Sequence, residues 1–167
     1  MDRGNDNLKK SRDTITHTDL IKAYKDFLQV LGAKRDQRPP ATPKELARIY
    51  NKLMSTCLRL SHFLNFTPTQ QMAYVHDAEK FAKRALENAI KSQNNDRVVQ
   101  MQFYLACVKA REIQLRSTGA HFQKPTPSEK DAAVEAISLS WATLRSIENL
   151  DMSVYDAMAE ENISQLR

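Results

Sequence analysis

The chain has 167 residues, 41% hydrophobic and 27% charged, with a net charge of +5 and only three glycines. That length and balance allow one domain with a buried core and exclude a disordered or collagen-like chain. The glycine scarcity argues against tight hairpins and phosphate-cradling loops, and no apolar run approaches the length of a membrane span.

Residues 1–15 are polar and mildly basic through Lys9, Lys10 and Arg12, and lack the apolar segment of a secretory signal. They read as a flexible tail ahead of a single helical domain over 16–167. A first helix is expected with Thr18 as its N-cap. Leu20, Ile21, Tyr24, Phe27, Leu28 and Leu31 form one stripe along it, and Gly32 suits the position just past its end. Lys34 to Pro40 is a charged, proline-ended linker.

Thr42-Pro43-Lys44-Glu45 announces a second helix: an N-cap, a proline where its missing N–H is not needed, and an acid in the first turn. This helix is expected to run to about Leu64, with Leu46, Ile49, Tyr50, Leu53, Met54, Cys57, Leu60 and Leu64 facing the core. Thr67-Pro68-Thr69-Gln70 announces a third, to about Lys91, with the stripe Ala78, Phe81, Ala82, Ala85, Leu86, Ala89 and Ile90. Only Asn65, Phe66 and Thr67 separate the two, which predicts an antiparallel hairpin.

From Arg97 to about Ser117 apolar residues occupy nearly all directions, which predicts the central and most buried helix. Gly119 ends it, and His121-Phe122-Gln123-Lys124 follows as a loop that exposes an aromatic beside basic residues. Ser128-Glu129-Lys130-Asp131 marks a fifth helix, to about Leu150, burying Ala133, Val134, Ile137, Trp141, Leu144 and Ile147. Ser153 to Leu166 reads as a short sixth helix through Val154, Tyr155, Met158 and Ile163. The fold class is therefore all-α: a five- or six-helix antiparallel bundle, or a short superhelix of helical hairpins.

No motif supplies a chemistry. The histidines (His17, His62, His76 and His121) form no HExxH and no i, i+4 pair, and Cys57 and Cys107 belong to no CxxC. Ser61 and His62 are neighbours in sequence, but adjacent helical residues point about 100° apart and cannot act as nucleophile and base. No enzyme, cofactor or metal is expected. The cysteines read as reduced core residues of a cytoplasmic or nuclear protein.

Charge is uneven. Residues 1–130 hold 23 Lys/Arg against 13 Asp/Glu, and residues 131–167 hold two against seven. Either an acidic last element covers a basic body, or a basic surface awaits an acidic partner. The sharpest patch is on the third helix, where His76, Lys80, Lys83, Arg84 and Lys91 recur at three-, four- and seven-residue steps opposite the alanine stripe. Arg111 and Arg116 on the next helix are candidates to extend it for carboxylates or phosphates. The plain alternative is an ordinary solvated helix face.

Residues 78–111 resemble a degenerate tetratricopeptide-type repeat junction. Ala78-Glu79-Lys80-Phe81-Ala82-Lys83-Arg84-Ala85-Leu86 is similar to a second repeat helix, and Leu105-Ala106 resembles the Leu-small pair of the following first helix. Gln102 stands where that family has an aromatic, and helix starts near 43, 68, 97 and 129 do not keep a period of about 34 residues. The resemblance covers one hairpin and implies a non-enzymatic adaptor or scaffold subunit that takes a partner peptide or helix, acidic in character, in an inter-helix groove. The alternative is a basic helical module binding RNA or DNA in a nuclear complex, and a third option is a homodimer through one hairpin. No membrane association is expected.

Overall fold

The computed structural model describes residues 16–167; the tail expected over 1–15 lies outside them. The described residues are all-α, with six helices: α1 His17–Asp36, α2 Pro43–Leu60, α3 Pro68–Lys91, α4 Asn95–Thr118, α5 Pro127–Leu144 and α6 Ser153–Leu166. They fall into two compact units, one ending at Gln93 and the other spanning Asn94–Arg167.

In the first unit each helix begins with a complete capping box. Thr16 pairs with Asp19, Thr42 with Glu45 and Thr67 with Gln70: the threonine hydroxyl accepts the N–H three residues on, and that residue's side chain accepts the threonine N–H. The first cap is Thr16, not Thr18. The residue three after Thr18 is Ile21, which cannot reciprocate, whereas Asp19 can. Gly32 does not end α1 either. It is a solvent-facing helical residue, and the helix stops at Gln37, ahead of Pro39 and Pro40.

α2 packs against both α1 and α3. It buries nine of its 18 residues, including Ile49, Leu53, Met54, Cys57 and Leu60. It ends at Leu60, short of Leu64, which is 92% exposed. The turn supplies its own apolar groups instead. Phe63 and Phe66 lie edge-on to the His17 ring at 6.0 and 5.8 Å, and the Gln71 amide donates to the Phe63 carbonyl at 2.9 Å. On α3, Ala78, Phe81, Ala82, Ala85 and Ala89 are buried. Phe81 stacks on Tyr50 with ring centres 6.2 Å apart. Leu86 is half-buried and Ile90 is 58% exposed, because a 100° step from Ala89 carries Ile90 off the core side.

In the second unit α4 packs against both α5 and α6. Phe103, Cys107, Ala110, Ile113, Ala133, Ile137, Leu144, Ala159 and Leu166 form its core. The expectation that this helix is the most buried fails: α4 buries eight of 24 residues, a smaller share than α2. Val98, Val99, Tyr104, Leu105 and Ala106 are only half-buried. α5 is capped by Thr126, with Pro127 at its first position, not by Ser128. Thr126-Pro127-Ser128-Glu129 repeats the pattern of the two earlier starts, and the proline fixes the frame. α5 ends at Leu144, where the Ser146 hydroxyl donates to the Thr143 carbonyl at 2.6 Å. Ile147 still packs on the core, from the turn.

Trp141 sits at the edge of that core, half-buried. Its indole N–H donates to Asp156 Oδ1 on α6 at 2.6 Å, and the Arg145 guanidinium lies 4.7 Å from its ring centre. On α6 the core positions are Ala159 and Leu166, while Val154 is 50% exposed.

Candidate functional site

α3 carries five of the sequence-predicted residues on its outer face. His76, Lys80, Lys83, Arg84 and Lys91 are all exposed, as the helical steps require. Glu87 and Ile90 share that face. Lys83 Nζ lies 3.0 Å from Glu79 Oε1, and Arg84 Nη1 lies 3.3 Å from Glu87 Oε2. Lys80 Nζ stands 5.9 Å from the Phe81 ring centre. Lys91 is in the last turn, where a cation suits the helix dipole.

Arg111 and Arg116 belong to the second unit, and both are engaged there. Arg111 is half-buried, and its Nη1 donates to Gln114 Oε1 at 3.2 Å. Burial pulls its pKa down while Glu161 pushes it back up. Gln114 in turn donates to Asn162 on α6 at 3.4 Å. Arg116 holds the loop between α4 and α5. Its Nη1 lies 2.6 Å from Glu129 Oε2, and its Nε donates to the Gln123 carbonyl at 2.9 Å. The hydrogen bond from Arg116 is the main reason the Glu129 carboxyl titrates below the usual range.

The loop expected to expose Phe122 is closed on itself. Phe122 is half-buried against Gly119, where an added Cβ would strike its ring. Lys124 Nζ donates to the Ser117 carbonyl at 2.9 Å, satisfying a helix-end acceptor of α4.

A feature the sequence did not flag is a cleft of about 480 Å³ between α4 and α5. Gln102, Leu105, Ala106 and Lys109 line one wall; Ala133, Ala136, Leu139, Ser140 and Thr143 line the other. Leu139 is 70% exposed at its rim. From Ala136 to Leu144 α5 carries no charged residue, although most of that stretch faces outward. α5 buries only Ala133, Ile137 and Leu144 of its 18 residues. Lys109 is the one charged lining residue, and its Nζ lies 3.6 Å from Glu112.

Both cysteines are free and buried. Burial pushes both thiols up, Cys107 to about 12, so neither is a ready nucleophile. Beside Cys57, the Tyr24 hydroxyl donates to Asp77 Oδ2 at 3.4 Å, and burial raises the Tyr24 pKa. Among the described residues no group of three or more His, Cys, Asp or Glu could hold a metal ion. No described helix is long and apolar enough to cross a membrane. No protein-family model, curated protein or solved structure matches this chain.

Proposed function

We propose that this chain is a non-enzymatic protein–protein interaction adaptor or scaffold subunit that takes a peptide or helix of a partner in the groove between α4 and α5. One observation carries the reading: the groove pairs a small-residue floor with an exposed apolar rim at Leu139, along a charge-free stretch of helix. Small residues let a second helix approach closely, and an apolar knob in water gains by being covered, about 1–2 kcal/mol for a leucine this exposed. Lys109 at the rim favours an acidic residue on the partner. Leu105 and Ala106, the pair that resembles a tetratricopeptide first helix, line the groove. Two buried free thiols fit a reducing compartment, cytoplasm or nucleus.

The test is affinity capture with the full chain and its Leu139→Asp variant side by side, followed by direct binding of the recovered protein. The variant should fold normally, since substitution at so exposed a site moves stability by about 0.5 kcal/mol or less, and should lose the partner. A partner held equally by both chains overturns the groove as the site.

A further inference from the structure

We propose that the outer face of α3 is a second docking surface, for an acidic amphipathic helix of another protein, so that each unit carries its own site and the two differ in chemistry. This does not depend on the α4–α5 groove. The face offers Lys80, Lys83, Arg84 and Lys91 against a single exposed acid, Glu87. Among the described residues no ion pair holds Lys80 or Lys91. The two that hold Lys83 and Arg84 lie within one helix turn, on cations 59% and 57% exposed. Exposed pairs of this kind are weak, so they exchange readily for a partner's carboxylates. A row of exposed cations, only two of them held by weak local pairs, selects acidic surfaces and speeds their approach.

Charge alone would fit any polyanion, but the apolar edge narrows the choice. Ile90, 58% exposed, stands beside half-buried Leu86 on the Lys83 side of the stripe. A partner helix with acids on one side and an aliphatic row on the other covers both features at once. A nucleic acid fits less well. The only ring exposed on this face is the His76 imidazole, and no Phe, Tyr or Trp stands there for bases to stack on. Phe81 is turned inward, against Tyr24 and Tyr50.

The experiment uses the full chain and three fluorescent probes: a helical Glu/Leu amphipathic peptide, a Glu-only peptide of equal charge, and an RNA hairpin. The wild type should bind the Glu/Leu peptide at least about fivefold more tightly than the Glu-only one, and affinity should fall with added salt. K80E/K83E/R84E should lose about tenfold or more, Ile90→Ser several-fold, and Leu139→Asp nothing. The neutral variant K80Q/K83Q/R84Q should lose an intermediate amount, with circular dichroism reporting an intact fold for all. Equal binding by the charge-reversed chain overturns the proposal, as does equal binding of the two peptides. Preferential binding of the RNA hairpin would replace it with a nucleic-acid surface. A positive result here together with loss of the groove partner's specificity for Leu139 would sink the first reading and leave this one standing.

Discussion

Residues 16–93 hold 13 Lys/Arg against seven Asp/Glu, while residues 94–167 hold eight against ten. In the first stretch all three helices start with reciprocal capping boxes. In the second, Asn94 and Thr126 cap without reciprocation, and the N-cap residue of α6, Met152, offers no side-chain bond, the Ser153 N–H going instead to Asp151 Oδ1. Polar ties between elements occur in both units: Tyr24 to Asp77 and Arg35 to Tyr50 in the first, and Arg116 to Glu129, Gln114 to Asn162, and Trp141 and Arg145 to Asp156 in the second. Helices fixed at their own ends can devote their outer faces to charge, as α3 does. Helices positioned by their neighbours leave apolar surface where no neighbour comes, as α5 does along Ala136–Leu144.

The sharpest way to break this contrast is a pair of leucines. Leu53 on α2 is fully buried, so Leu53→Ala should cost about 2–5 kcal/mol. Leu105 on α4 is a half-covered groove wall, so Leu105→Ala should cost only about 1 kcal/mol. Urea unfolding of the two variants measures both. Equal losses would mean that the α4–α5 face is packed as tightly as the α2 core.

A smaller effect should separate the caps. Thr67→Ala combined with Gln70→Ala removes both hydrogen bonds of a reciprocal box and should cost about 1–2 kcal/mol. Thr126→Ala removes a single hydrogen bond, to the Glu129 N–H, and should cost less. Midpoints from the same unfolding assay give the order; a reversed order would show that local capping does not distinguish the units.

Acid should have the smallest effect, and only on the Arg116–Glu129 tie. Glu129 has its folded pKa depressed, chiefly by the Arg116 hydrogen bond. Its contribution is therefore fully present above the unfolded glutamate value of about 4.3 and is lost as pH falls through the lower folded value. Melting curves of wild type and Glu129→Gln should differ slightly at neutral pH, and the gap should close as acid protonates Glu129 in the folded chain. A gap that persists in acid would assign the role of Glu129 to packing.

Helix starts were the most legible part of the sequence, because a cap, a proline and a first-turn acid are local signals. The start of α5 shows the limit: Ser128 looks like a cap, but Thr126-Pro127 repeats the pattern at Thr42 and Thr67 and is the true start. Helix ends are less legible: α2 and α5 stop short of Leu64 and Leu150, and α1 runs past Gly32. An apolar residue in a turn, such as Ile147, can pack on a core without being helical, and an exposed glycine does not by itself stop a helix. The exposed row on α3 followed from spacing alone. The groove did not, since Leu105, Ala136 and Leu139 look like members of a core stripe until the neighbouring helices show which of them stay uncovered. The charge-free run from Ala136 to Leu144 was the one signal that could have revealed it.

The chain's two thiols lie one in each unit, Cys57 on α2 and Cys107 on α4, both shielded from solvent. A thiol reagent reaches such a sulfur only while the surrounding helices are transiently apart. With either cysteine changed to serine, the remaining one becomes a clock for a single unit. The two labelling rates then report which half of the molecule opens first, and how often, under conditions where the whole chain remains native.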